Sequence, residues 1–213
     1  IGANCNICEI NPGTHGQIRR YNADGTGMEI IARGVRNTVG FDWHPVTKEL
    51  WFTDNGRDDM GDEVPNDELN VAPKPGLHFG FPYCHQGDVK DPQFGDKKPC
   101  SETQAPAQFM GPHVAAIGMR FYTGTMFPRE YRNAIFIAQH GSWNRSQPDG
   151  YKVVALDWRP DGSIVERDFL TGFLGDAGVL GRPAGIAQGP DGTIFITDDY
   201  AGVIYRVVPA TGS

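Results

Sequence analysis

The chain has 213 residues, with 28 Gly and 16 Pro against 39% hydrophobic residues: enough for one large domain with a true core or for two small ones, and too rich in turn formers for long helices. Aromatic residues at 11% argue against a disordered chain. A net charge of −7 without a Lys/Arg cluster argues against nucleic acid and for a small molecule or a cation, and no apolar run approaches the roughly 18 to 20 residues that span a bilayer.

In chain order, Ile-Gly-Ala-Asn at the start reads as the tail of a strand whose beginning lies upstream, so a mature or truncated product is expected. Residues 16–33 read as strand, turn, strand around Asp24-Gly25, a dipeptide that favours tight hairpins. A repeat follows. RNTVGFDWHPVTKELWFTDNG at 36–56 and RPAGIAQGPDGTIFITDDYAG at 182–202 each have an Arg, a Gly three or four residues on, an apolar stretch, a Pro at a turn, then LWFTDN or IFITDD. AIFIAQHG at 134–141 is a weaker third copy. Residues 57–112 break the rhythm and are expected to form a long inserted loop region. PREYRNA, 128–134, hints at a helical turn. Residues 151–170 read as another hairpin and GVIYRVVP as a final strand. Strand ends near residues 1, 54, 139 and 198 are spaced by about 50 to 85, which fits blades of roughly 40 to 50 residues plus insertions. The expected fold is all-β, a β-propeller of about four blades in one domain, 1–213. A β-sandwich is the alternative. Because a propeller closes by pairing its first and last strands, N-terminal blades from upstream sequence or from another piece are expected to complete the ring.

Four cysteines invite pairing. Cys5 and Cys8 form a CxxC, but Glu9 stands where haem attachment needs His, and Cys84 and Cys100 are too far apart for a zinc pair. The 84–100 spacing suits a loop-closing disulfide, and a tight 5–8 bridge is open. Four free thiols are the alternative. RDDMGDEVPNDELN holds Asp58, Asp59, Asp62, Glu63, Asp67 and Glu68; clustered carboxylates suit Ca²⁺, although a solvated acidic loop is the plainer reading. Arg36 and Arg182 stand at matching repeat positions, so two guanidinium groups are expected to converge on one anionic ligand. In AQHGSWNRSQPDGY, His140, Trp143, Asn144 and Arg145 crowd one loop, with no nucleophile elbow.

The stretches NCNICE, ARGVRNTVGFDWHP, ELWFTDNGRD, DELN, HFGFPYC, FIAQHGSWNR, GRPAGIA and DGTIFITDDYAGVIYRV together resemble the soluble PQQ-dependent glucose/sorbosone dehydrogenase family, six-bladed propellers that oxidise sugars, and especially its sorbosone dehydrogenase-like bacterial members. The resemblance implies that Arg36 and Asn37 hold the quinone cofactor, with Asn55, His113, Arg182 and either His140 or Arg145 facing it. It implies Ca²⁺ on the carbonyls of Gly56 and the next residue, where Arg57 replaces the family's frequent Pro. A structural Ca²⁺ is implied on Asp67 or Glu68 with the Phe79 carbonyl. The family's catalytic His would lie upstream of Ile1, so no catalytic residue is assigned here.

PQQ carries three carboxylates and an ortho-quinone. Arginines would pair with the former, and Ca²⁺ would polarise the quinone C5 carbonyl while a base takes the substrate proton and hydride moves to the quinone. The implied function is a PQQ- and Ca²⁺-dependent dehydrogenase of a sugar or aldose, periplasmic or secreted, passing electrons to a quinone, cytochrome or dye. A Ca²⁺-dependent lactonase and a non-catalytic propeller binding module are the alternatives.

Overall fold

The structure, a computed structural model, describes residues 1–159 and 161–210. Its strands are β1 (Gln17–Arg20), β2 (Glu29–Arg33), β3 (Phe41–Trp43), β4 (Leu50–Asp54), β5 (Asn66–Ala72), β6 (Leu77–His78), β7 (Cys84–His85), β8 (Val89–Lys90), β9 (Gln108–Pro112), β10 (Ala116–Phe121), β11 (Ile135–Gln139), β12 (Lys152–Trp158), β13 (Ile164–Leu170), β14 (Leu174–Gly175), β15 (Gly178–Val179), β16 (Pro183–Gln188), β17 (Ile194–Asp198) and β18 (Val203–Val207). Four sheets dominate, in the orders β1-β2-β6, β3-β4-β5-β9, β10-β11-β12-β13 and β16-β17-β18, with two small ribbons, β7-β8 and β14-β15, beside them. Helical turns among the described residues are single 3₁₀ turns: Arg129–Tyr131, where the sequence hinted at one, Gly95–Lys97 and Cys100–Glu102.

The sheets stack in series, and the core lies between consecutive sheets. Ile31, Ala32, Leu50, Phe52 and Phe79 fill the space between the first and second. Trp51, Leu69, Met119, Phe121, Ile135, Ile137, Val154 and Leu156 fill the second gap. Tyr122, Phe136, Ala138, Val153, Ala155, Ile194 and Ile196 fill the third. On β11 and β12 alternate side chains thus enter different gaps, because successive strand residues point to opposite faces. A strand covered on both faces needs an unbroken apolar run, which is why LWF, IFIA and VVAL carry no polar alternation. This serial stacking is that of a partial β-propeller; a two-sheet sandwich would have a single core layer.

The first strands of neighbouring sheets lie against one another, β10 touching both β3 and β16. Glycine permits it. A Cβ on Gly40 would stand 2.0 Å from the Ile117 carbonyl oxygen, and one on Gly118 would stand 2.1 Å from that of Ala184. The Gly four residues after Arg36 therefore serves close backbone approach.

The stretch 57–112 is not all insertion. β5 and β9 lie within it and pair with each other in the second sheet, Leu69 opposite Gln108, so the excursion from the sheet is residues 73–107. Both expected disulfides are present, Cys5–Cys8 and Cys84–Cys100, and no cysteine is free, which overturns the free-thiol alternative. Ile1 exchanges two main-chain bonds with Gln17, and the Ala3 amide donates to the Arg36 carbonyl at 2.7 Å, so the first residues run strand-like between β1 and the second sheet.

Candidate functional site

β4 ends in Asp54, a buried carboxylate that organises the loop before β3. Its Oδ2 accepts the Arg36 amide at 2.8 Å, and its Oδ1 accepts the Asn37 amide at 2.7 Å and the Thr38 hydroxyl at 3.1 Å. The fourth sheet repeats the device: Asp198 Oδ1 accepts the amides of Arg182 at 2.9 Å and Ala201 at 2.8 Å. The preceding threonines match as well, Thr53 Oγ1 accepting from the Gly40 amide and Thr197 Oγ1 from the Gly185 amide. Arg36 and Arg182 thus occupy the same place in two sheets.

Arg36 has five N–H donors, and all five find acceptors. Nε reaches the Asn6 carbonyl at 2.9 Å, and Nη2 reaches Asn6 Oδ1 at 2.8 Å and Asp58 Oδ2 at 3.1 Å. Nη1 reaches the carbonyls of Asn55 at 3.2 Å and Gly56 at 2.6 Å. Asn6 Oδ1 also accepts the Asp58 amide at 2.8 Å. Three segments distant in sequence, 6, 36 and 55–58, are therefore tied at one guanidinium.

A cavity of about 140 Å³ opens beside it, lined by Arg36, Asn37, Asn55, Gly56, Asp58, Asp67, His113, Ala115, Trp143 and Asn144. His113 and Ala115 both adopt left-handed backbone, φ 59 and 54, at the turn between β9 and β10. His113 Nε2 donates to the Gly61 carbonyl at 2.9 Å, leaving Nδ1 as the acceptor toward Asn144 Nδ2 at 3.4 Å. Asn144 Nδ2 also donates to Asp58 Oδ1 at 2.9 Å. Asp67 accepts the amides of Gly56 at 2.8 Å and Ala115 at 2.7 Å; burial nevertheless pushes it up to about 6. Two buried amide oxygens on this wall, Asn55 Oδ1 and Asn144 Oδ1, have no partner among the described residues. Unsatisfied acceptors of this kind suit hydroxyl donors or a hard cation.

A second cavity, about 10 Å³, lies on the other side of the 55–56 turn and is lined by Arg36, Asp54, Asn55, Gly56, Glu68, Phe79, Phe81, Cys84 and His85. Burial, reinforced by the Asp54 carboxylate, pushes Glu68 up to about 8, and burial lifts Asp54 to about 6. Glu68 keeps the Asn70 side-chain amide at 2.9 Å and the Gln86 amide at 2.8 Å. Two carboxylates, Asp54 and Glu68, line a space of about one small sphere, oxygen donors of the kind a hard cation prefers. Among the described residues no group of three His, Cys, Asp or Glu side chains is arranged to hold a metal.

The remaining candidates are Arg57, Arg182, His140 and Arg145. Arg57, expected to offer its carbonyl, sends its side chain into a buried ion pair with Asp91 at 2.7 Å; His85 Nε2 meets the same Asp91 oxygen at 2.8 Å. Although burial opposes it, these partners and the amides of Phe94 and Gln93 hold Asp91 down at about 2. Arg182 stacks over Tyr151, with 5.1 Å from its guanidinium carbon to the ring centre, and Nη2 reaches the Tyr151 hydroxyl at 3.1 Å. His140 joins it, Nδ1 facing Arg182 Nη1 at 3.4 Å and Nε2 on Asp199 at 2.9 Å. Arg182 is not among the lining residues of the three cavities, about 10, 140 and 300 Å³, beside Arg36. The 140–144 segment joins the clusters, its first residue against Arg182 and its last against Asp58. Arg145 lies at the rim, on the Pro112 carbonyl at 3.3 Å and Glu63 at 3.4 Å.

Sequence reasoning missed Asn6 and Asp54, and took Asp58 only as one acid in a run and Asn144 as a bystander of His140. The repeat could have revealed Asp54, since Asp198 stands in its place in the second copy. The CxxC around Asn6 was the one local sign of an ordered loop there.

A family model described as Glucose / Sorbosone dehydrogenase matches residues 6–206. The chain belongs to that family. An uncharacterized protein of Borreliella burgdorferi is 44% identical over 211 residues, 97% of this chain and 55% of its own length. A pyrroloquinoline quinone-dependent pyranose dehydrogenase of Coprinopsis cinerea is 29% identical over 129 residues, 50% of this chain and 17% of its own. Among solved structures, the holo form of the pyranose dehydrogenase PQQ domain from the same fungus superposes with a TM-score of 0.79 at 21% identity, covering 98% of this chain and 66% of that one. The soluble aldose sugar dehydrogenase of Escherichia coli in its apo form gives 0.61 at 20%, covering 87% and 52%. At such identities the structural likeness carries the fold. The chain spans about half the length of the first relative it matches and about two thirds of the first structure.

Proposed function

We propose that this chain is part of a dehydrogenase that oxidises a sugar or aldose hydroxyl or aldehyde with PQQ and Ca²⁺, working outside the cytoplasm. The observation that carries the reading is the 140 Å³ cavity, where Arg36, Asn37, Asn55, Gly56, Asp67 and His113 meet around two unpartnered amide oxygens. Family membership and relatives described as PQQ-dependent support it. The two disulfides fit an oxidising compartment.

In this reading Arg36 and Asn37 hold the cofactor's carboxylate edge, and Asn55 with the Gly56 carbonyl faces its cation. Bound PQQ with Ca²⁺ would supply the electrophilic quinone that accepts the substrate hydride. The chain's own groups position the substrate and accept its proton. His113, fixed with Nε2–H on Gly61, offers Nδ1 to a proton on the cavity side, and Asn144 Oδ1 offers an acceptor to a sugar hydroxyl. Glu68, Asp54 and the Phe79 carbonyl form the second, structural cation position. Arg182, His140 and Arg145 remain cofactor candidates from further along the same face.

A Ca²⁺-dependent lactonase has one observation in its favour, since Asp54, Asn55 and Glu68 line one cavity. Arg36 in the same lining counts against it, because such a lactonase has no need of a guanidinium that a tricarboxylate cofactor would use.

The test is PQQ binding, followed by fluorescence quenching in calcium buffer, with sugar-dependent dye reduction measured on the full-length protein. Arg36→Ala is expected to weaken PQQ about tenfold or more, the scale of charge-assisted hydrogen bonds. Unchanged affinity in that variant would overturn the assignment of Arg36.

A further inference from the structure

Asn6 sits on Arg36 as a carboxylate would. The Nε and Nη2 groups form one edge of the guanidinium, the edge that grips two oxygens at once. Both are occupied by oxygens of one residue, the Asn6 carbonyl at 2.9 Å and Asn6 Oδ1 at 2.8 Å. Asn6 is held there by the smallest ring in the chain, closed by Cys5–Cys8 across a separation of three. It is steadied from the far side, since its Oδ1 accepts the Asp58 amide and its Nδ2 reaches Asp59 Oδ2 at 3.2 Å. An open space of about 300 Å³ adjoins this contact, lined by Ala3, Cys5, Asn6, Arg36, Asn37 and Asp58. The seat an anion would take therefore exists, opens to solvent, and is filled from within.

We propose that Asn6 is a built-in occupant of the Arg36 anion seat, and that the Cys5–Cys8 bond decides whether it stays there. With the ring closed, Asn6 competes with carboxylates for the bidentate edge and weakens, without abolishing, their grip. A dithiol opens it: the Cys5–Cys8 bond breaks, two S–H groups form, and the dithiol leaves as a disulfide, so two electrons and two protons are transferred. Freed of the ring, residues 5–8 regain backbone freedom, Asn6 leaves, and the Nε/Nη2 edge is open to an organic polycarboxylate. Half-exposed Cys5 on the wall of the open space gives the reductant access. The inference rests on the anion-grip reading of Arg36 above and adds a condition to it.

The experiment reads Arg36 directly. The full chain is treated with phenylglyoxal, which modifies free guanidinium groups, and the rate at Arg36 is followed by peptide mass spectrometry. Wild type, Asn6→Ala and the Cys5→Ser/Cys8→Ser double variant are compared, with citrate binding measured by calorimetry in parallel. Arg36 is expected to react at least about tenfold faster in the double variant, the scale of losing one charge-assisted hydrogen bond, with Asn6→Ala between the two and citrate binding tightening in the same order. Wild type under limited dithiothreitol, with loss of the 5–8 bridge confirmed by mass, gives the same comparison should the double variant not fold. Equal or slower labelling once the bridge is open overturns the proposal. Faster labelling without PQQ binding in any variant would leave it standing and remove the cofactor reading instead.

Discussion

Asp67 and Glu68 are neighbours on β5 and look into different cavities: Asp67 lines the larger one with Gly56 and His113, and Glu68 lines the smaller one with Asp54 and Phe79. Strand geometry forces this, since consecutive side chains project to opposite faces. The sequence offered them as alternatives for one cation; the structure gives them separate surroundings.

Millimolar calcium is expected to raise the melting temperature, Glu68→Gln to abolish that rise, and Asp67→Asn to retain it. Differential scanning fluorimetry with chelator and with calcium checks the pair. The reverse pattern would move the cation to the larger cavity.

The same acids set a pH dependence. In chelator, Asp54 and Asp67 are raised from 3.8 to about 6, and Glu68 from 4.5 to about 8. A raised carboxyl favours the folded state when protonated, so this stability is complete below the unfolded values and is lost as pH climbs through about 6 and then about 8. Urea midpoints in chelator are expected to fall between pH 5 and pH 9, and calcium to flatten the fall. A midpoint that rises across that range would contradict the account.

Asp91 holds two buried partners, Arg57 and His85. Asp91→Asn leaves Arg57 buried without a counter-charge, for which about 3 to 5 kcal/mol is the usual loss. Chemical denaturation measures it. A loss below about 1 kcal/mol would mean that water reaches Arg57 easily.

At the sheet junctions, Gly118→Ala would drive a methyl to 2.1 Å from the Ala184 carbonyl oxygen. A cost of about 1 to 3 kcal/mol is expected from the forced shift of β16. An unchanged unfolding midpoint would show that the first strands part without strain.

The blades were legible where local rules act alone. Asp-Gly turns mark the hairpin over 17–33, and two-sided burial leaves apolar runs at β4, β11 and β12. β5 was hidden because NDELNVA is polar yet buried: Asp67, Glu68 and Asn70 are covered inside the second sheet, where backbone amides and a side-chain amide meet the carboxylates. β9 was hidden by the 73–107 excursion that separates it from β5. In the site, Arg36 and its Asp54 anchor repeat in Arg182 and Asp198, so periodicity reaches them. Asn6 and Asn144 come from loops 52 and 86 residues from Asp58, and no spacing rule spans such distances.

The staple from Asp54 to the Arg36 amide, repeated from Asp198 to Arg182, uses main-chain donors and so is indifferent to the side chain it fixes. A loop root anchored in this way keeps its backbone course through main-chain donors alone, whereas the Arg36 guanidinium ties residues 6 and 55–58 to it and the Arg182 guanidinium ties Tyr151 and His140. The clamp thus sets where each root sits, the side chain sets which neighbouring segments are fastened to it, and exchange of either arginine would release those segments without moving the root itself.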